Sequence, residues 1–286
     1  MALDAQPKTV WPAPAKINWF LHVVGKRPDG YHELQTVFQF LDYGDEMTFA
    51  ITENGDIQRD YDLGFSEEVD LCLRAAKLLK KIKGDDTCGV TISLNKRLPM
   101  GGGLGGGSSN AATTLIALNH LWGVGLNRQE LADLGLKLGA DVPIFIFGQS
   151  AWAEGIGEQL TAIDLVEKWF LVLNPDVNVS TKQIFCHKQL TASPQMMKIR
   201  ALEKGINFEF GKNQLEPIVR AEYPQVNAII EWLSKYGKPR MSGSGGSVFM
   251  PLVDQQQGVK LLEKKPANST GFVAKGLNLH PLLDVI

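Results

Sequence analysis

Leu98-Pro-Met-Gly101-Gly-Gly-Leu-Gly-Gly-Gly107-Ser-Ser-Asn110 is the stretch of this chain most plainly built for chemistry. Six of the seven residues from Gly101 to Gly107 are glycine, and an apolar helical pattern follows from Ser108 to Trp122. Glycine lets backbone N–H groups come close to a ligand in conformations closed to other residues. The start of a helix adds unpaired N–H donors and the positive end of its dipole. Together they make an anion cradle, most naturally for phosphates, to which Ser108 and Ser109 add hydroxyls. The alternative is a flexible loop in which serine simply caps the helix. It is not a Walker A loop, because Gly107 stands where a lysine would precede Ser108. Gly101, Gly103 and Gly106 satisfy GxGxxG, as any such glycine run does, yet no clear Asp or Glu follows about 20 residues later at the end of a second strand, as a dinucleotide fold needs. A Cβ at Gly103 or Gly106 would stand where phosphates touch backbone.

Other residues qualify only in company. Lys16 and Asn18 sit two apart in the alternating stretch Ala15–Val23, so they share one strand face. Asp141 follows a helix end in Gly139-Ala-Asp-Val-Pro143, either as a turn or cap residue or as a base. Arg27-Pro-Asp-Gly-Tyr31 is a turn in which Pro presets φ and Gly takes the left-handed position. It presents Tyr31 and His32, as an ordinary loop pair or toward a ligand. Phe185 reads most simply as a core residue. Ser242-Gly-Ser-Gly-Gly-Ser247 is a plain turn before a strand or another wall of an anion pocket.

The elements that must position these residues follow from periodicity. Strands are predicted at Thr36–Leu41, Glu46–Ile51, Val90–Leu94, Phe170–Leu173, Ser247–Leu252 and Phe272–Ala274. Leu71, Ala75, Leu78, Leu79 and Ile82 form one apolar helix face, with Ser66 as its expected cap. Asn127 with Glu130 forms a capping box that opens a helix to about Leu138, and Pro143 should stop any continuation. Further helices are predicted around Val226–Tyr236 and Gln255–Lys264. Strands and helices mix without steady βαβα alternation, which favours α+β.

Lys and Arg number 29 against 31 Asp and Glu, a net charge of −2, so the chain lacks the electrostatic footprint of a nucleic-acid or anionic-membrane binder. Its longest apolar stretches, such as Val142–Phe147, fall far short of a bilayer span. The opening Met1–Lys8 has neither a basic start nor an apolar run, so no secretory leader is expected. Three widely spaced cysteines (Cys72, Cys88, Cys186) argue for a reducing cytoplasm rather than a disulfide framework. Five histidines without an HxxxH pair argue against a protein-built metal site.

Taken together, three regions resemble the three motifs of the GHMP small-molecule kinases. They are Pro14-Ala-Lys-Ile-Asn18, Pro99-Met-Gly-Gly-Gly-Leu-Gly-Gly-Gly-Ser-Ser109 and Ser242-Gly-Ser-Gly-Gly246. Gly25-Lys-Arg-Pro-Asp-Gly-Tyr-His-Glu-Leu34, Leu98–Trp122 and Leu138–Pro143 are similar to the members that act on a cytidine-diphosphate-linked methylerythritol. The resemblance implies an α+β, two-domain GHMP kinase-like fold with a deep cleft. Residues 1–160 would be the ATP-binding domain and 161–286 would complete the substrate site. It further implies ATP-dependent phosphorylation of the acceptor's tertiary 2-hydroxyl. Asp141 would take the hydroxyl proton, with Lys16 beside it and Asn18 lining the same site. Tyr31 and Phe185 would sandwich the cytosine, His32 would bond its polar edge, and Thr181 would face the same substrate. ATP would lie on Pro99, Met100, Gly101, Gly102, Gly103, Leu104, Gly105, Gly106, Gly107, Ser108 and Ser109, with Mg²⁺ bridging its phosphates. The competing readings are a homoserine- or mevalonate-type GHMP kinase and a catalytically silent nucleotide sensor. A sensor would need neither Lys16 nor Asp141. Asp70 departs from the related sequences, which carry Asn before the leucine near the adenine pocket, and Gly246 stands in place of Ala.

Overall fold

The structure is a computed structural model and describes residues 9–192 and 210–285; the Met1–Lys8 stretch read above for a leader lies outside them. Strand β1 (Trp11–Lys26) and strand β2 (His32–Thr52) form a long antiparallel hairpin. Its turn is the predicted one: Arg27 N donates to Tyr31 O at 2.7 Å and Gly30 takes φ +90°. Two strands were expected where β2 runs unbroken. Asp42-Tyr-Gly-Asp45 looks like a turn, but Gly44 and Asp45 stay paired with Pro14 and Ala13. Gly44 permits this, because a Cβ there would meet Ala13 O at 2.2 Å.

Strand β3 (Ile57–Arg59) is followed by helix α1 (Leu71–Lys83) and strand β4 (Gly89–Asn95), then helix α2 (Gly106–Leu121). Helix α3 (Arg128–Leu136) opens on the predicted capping box. Helix α3 ends before Pro143, as expected, but Pro143 also begins an unforeseen helix, α4 (Val142–Phe147), because proline is welcome in a first turn whose N–H groups have no partner. The hairpin β5 (Ala151–Glu154) and β6 (Gln159–Ala162) comes next. Strand β7 (Trp169–Asn174) and the short helix α5 (Thr181–Phe185) follow. Beyond them lie α6 (Glu216–Glu222), α7 (Pro224–Leu233), β8 (Arg240–Met241), β9 (Val248–Leu252), α8 (Gln255–Glu263) and β10 (Thr270–Leu277). Mostly antiparallel pairing with intervening helices gives the α+β architecture that was expected.

Strand β2 is the hub, paired with β1, β4, β5 and β10. Strand β10 also pairs with β7 along six residues, so one strand joins the two halves of the sheet. One buried core lies under α1 to α4, and another gathers α6, α7 and the β7–β9 strands. A third, with Ile17, Trp19, Phe170 and Phe249, lies between them.

The cap of α1 is Asp70, not Ser66: Asp70 Oδ1 accepts from Cys72 N at 2.8 Å and Leu73 N at 3.3 Å. Its Oδ2 accepts from Arg59 Nη1 at 2.8 Å and the Tyr61 hydroxyl at 3.0 Å. Arg59 supplies a buried carboxylate with the counter-charge that an asparagine there would not need. No helix among the described residues is long and apolar enough to cross a membrane.

Candidate active site

Asp45, buried in β2, fixes the approach to the glycine loop. Its carboxylate accepts from Lys96 Nζ at 2.6 Å, Arg97 N at 2.7 Å and Leu98 N at 2.8 Å. The chain then enters Pro99–Gly105, and α2 begins at Gly106, two residues earlier than its apolar pattern suggested. Ser109 N donates to Gly105 O at 2.8 Å, the first bond of the helix. The N–H groups of Gly106, Gly107 and Ser108 therefore have no partner within α2.

Gly103 and Gly105 both take φ +73°, a region that favours glycine. A Cβ at Gly103 would meet Ser242 O at 2.2 Å, and one at Gly105 would meet Phe145 Cζ at 2.9 Å and Lys16 Cε at 3.1 Å. The second glycine loop is thus the partner of the first. Ser242 Oγ donates to Gly103 O at 2.9 Å, and Ser247 N to Gly102 O at 2.9 Å. The expectation that a Cβ on Gly103 meets a phosphate is corrected: it meets the second loop.

Lys16 lies at the bottom of the cleft. Its backbone N donates to Leu104 O at 2.9 Å. Its ammonium has three protons and three acceptors: Asn18 Oδ1 at 2.8 Å, Gly103 O at 3.2 Å and Asp141 Oδ2 at 3.1 Å. Asn18 shares the strand face as predicted, and its Nδ2 donates to Thr36 Oγ1 at 2.9 Å. Asp141 occupies the cap position of α4 but makes no cap bond. Its side chain is 38% exposed, against 3% for Lys16, so the carboxylate reaches the cleft while the ammonium stays beneath it.

The cleft measures about 1140 Å³. Pro99 to Ser108, Lys16, Asn18, Tyr31, His32, Asp141, Thr181 and Phe185 all line it, whereas Ser109 is fully buried and does not. At one end Tyr31 is 58% exposed, and the His32 and Phe185 rings lie 5.5 Å apart at 34°. Those two rings are too close together to admit another aromatic ring between them. Burial, with the Lys26 cation nearby, lowers the pKa of His32 from its ordinary value. Thr181 Oγ1 and Ser244 Oγ are 2.6 Å apart, joining α5 to the second glycine loop. At the other end the wall is Tyr61, Phe65, Val69, Leu71 and Leu94, with Lys96 and Asn110 beside them. The resemblance pointed to this end only through Asp70 and Leu71; Tyr61, Phe65, Val69 and Leu94 were missed, because an apolar wall drawn from separate elements has no local spacing. Cys72 borders it, and burial with Asp70 nearby pushes its thiol up to about 12, so it stays protonated. Among the described residues no group of three or more His, Cys, Asp or Glu is placed to hold a metal.

A phosphate cradle that opens on a lysine–aspartate pair, between an apolar lobe and an aromatic one, suits transfer of a phosphoryl group to a small alcohol. Residues 70–149 match the model of the GHMP kinases N terminal domain and residues 196–266 that of the GHMP kinases C terminal domain. The chain belongs to the GHMP kinases and is a small-molecule kinase. It is 50% identical over 273 residues to the 4-diphosphocytidyl-2-C-methyl-D-erythritol kinase of Marinobacter nauticus, covering 95% of each chain. A crystal structure of 4-(cytidine 5'-diphospho)-2C-methyl-D-erythritol kinase superposes with a TM-score of 0.80 at 30% identity, over 94% of this chain and 99% of that one. Methanococcus jannaschii mevalonate kinase, at TM-score 0.70 and 16% identity over 95% and 99%, shares the fold.

Proposed function

We propose that this chain transfers the γ-phosphoryl group of ATP to the 2-hydroxyl of 4-diphosphocytidyl-2-C-methyl-D-erythritol, a step toward isoprenoid precursors. The observation that carries the reading is the 3.1 Å pair of Lys16 and Asp141 at the mouth of the glycine loop. The aromatic wall of Tyr31, His32 and Phe185 lies at one end of the same cleft. Identity of 50% with a relative of that name supports the choice of acceptor.

Phosphoryl transfer passes through a loose transition state, so positioning and charge stabilisation do most of the work. The free N–H groups of Gly106 to Ser108 hold the phosphates. Asp141 orients the acceptor hydroxyl and takes its proton, which departs late and needs only a weak base. Lys16 holds Asp141 in place through its remaining bonds to Asn18 and Gly103. Tyr31 and Phe185 stack on the cytosine and His32, neutral at pH 7, bonds its edge. The half-buried Ser108 hydroxyl at the start of α2 fits a Mg²⁺ that arrives on the nucleotide. Ser108 would be the residue that holds such an ion, which would supply charge neutralisation at the phosphates.

Residues 1–160 carry the phosphate loop and the catalytic pair, and 161–286 add Thr181, Phe185 and Ser244 to the acceptor wall. Strand β10 then returns to pair with β2. The test is an acceptor panel with ATP. Consumption of the cytidyl acceptor alone is expected; equal or faster consumption of mevalonate or homoserine would replace this reading by the generic one.

A further inference from the structure

One polar side chain in the cleft has no part in the chemistry above. Asn110 lies one turn into α2, is 2% exposed, and its Nδ2 has no hydrogen-bond partner. Buried amide donors without a partner are few in native proteins, so one in a cleft wall calls for a partner that arrives with the ligand.

Its placement says which part of the ligand. Helical side chains lean toward the N-terminus, so Asn110 covers the turn that begins at Gly106. The Cβ position of Gly105 faces Lys16 and Phe145, whereas that of Gly106 faces Lys96 Nζ at 3.2 Å. The mouth of α2 thus has a catalytic side and a side shared by Lys96 and Asn110. The Cβ position of Gly107 lies 3.8 Å from Leu71 Cδ1, at the edge of the apolar lobe. A nucleotide whose phosphates sit on the mouth, with the last one toward Asp141, extends its nucleoside into that lobe.

We propose that Asn110 is a nucleotide-binding residue whose Nδ2–H donates to an acceptor atom on the nucleoside of bound ATP. This rests on the reading of the cleft as an ATP site. The protein holds the donor unsatisfied in the absence of nucleotide, so ligand affinity is gained at some cost to the free enzyme.

The test is calorimetric titration of wild type, Asn110→Ala and Asn110→Leu with ATP, ADP and inorganic tripolyphosphate, alongside thermal unfolding without ligand. A neutral hydrogen bond is worth up to about tenfold in affinity. Several-fold to tenfold weaker binding of ATP and ADP is expected in both variants, with tripolyphosphate unchanged. The ligand-free melting temperature of Asn110→Leu should equal or exceed that of wild type. Unchanged ATP affinity in the variants would overturn the proposal, as would an equal loss for tripolyphosphate, which would move the contact to the phosphates. A melting temperature lowered by several degrees in both variants would make Asn110 a structural residue. Failure of wild type to bind ATP would instead sink the ATP reading itself, and this proposal with it.

Discussion

Asp141 touches Lys16 at 3.1 Å yet keeps more than a third of its side chain in contact with solvent. A pair with one partner so exposed contributes on the order of 1 kcal/mol or less to stability. The effect of removing its charge should therefore appear in the rate, not the fold. Asp141→Asn keeps the shape and one acceptor for Lys16. It is expected to lower kcat by roughly 10²–10⁴, with the KM for ATP and the melting temperature near those of wild type; steady-state kinetics with thermal unfolding checks both. The aromatic end makes a separate prediction. Tyr31 is exposed and spends nothing on the core. Aromatic stacking on a base is worth about 1–3 kcal/mol by alanine substitution. Tyr31→Ala should raise the acceptor KM by about one to two decades and leave the ATP KM alone. His32→Ala should narrow the preference for a cytidine over a uridine acceptor, because a site built to bond one base edge rejects another.

At the scale of elements, the two glycine loops are one device. Gly103 cannot carry a Cβ without displacing Ser242, whereas Gly106 has helical φ and meets only Lys96 Nζ at 3.2 Å and Leu98 at 3.4 Å. Gly106→Val is thus the substitution that tests the cradle. It should weaken ATP binding at least tenfold in calorimetry while the far-UV CD spectrum is retained. The cradle was legible in sequence because it is local: six glycines, two serines and an apolar helix lie in one run. The strand-face pairing of Lys16 with Asn18 was legible for the same reason, through period two. What brings them to Asp141 was not. The partner of Gly103 is 139 residues away, and Asp45 positions Lys96 to Leu98 from 51 or more residues away. Asp42 to Asp45 fell between two predicted strands because their composition suits a turn, and pairing of Gly44 and Asp45 with β1 carries the strand through. Helix α4 was hidden by Pro143, whose meaning as a starter or a stopper depends on the turn before it.

At the scale of the whole molecule, the end of the described chain returns to the first core. His280, 2% exposed, packs edge-on against Phe40 and Phe145, the ring that touches the Gly105 position. Burial, with Arg128 nearby, lowers its pKa to about 3. The unfolded chain takes up that proton near pH 6.5, so it binds more protons than the folded one between those values. Stability must then fall as the pH drops through this window. By pH 5 the loss from this residue is about 2 kcal/mol. Urea unfolding at pH 8 and pH 5 should show it, and His280→Phe should flatten that acid limb. An equal slope in the variant would assign acid sensitivity elsewhere.

The central claim is that Asp141 directs the γ-phosphoryl group of ATP to one hydroxyl of a cytidine-linked acceptor. It is tested most directly by phosphorus NMR of a reaction mixture of ATP, Mg²⁺ and 4-diphosphocytidyl-2-C-methyl-D-erythritol, run with wild type and with Asp141→Asn. One ADP should form for each new phosphomonoester on the tertiary carbon. Transfer should be at least about a hundredfold slower in the variant, with none to an erythritol phosphate lacking the nucleotide. ATP hydrolysis without transfer, a variant as fast as wild type, or equal use of the nucleotide-free acceptor would contradict it.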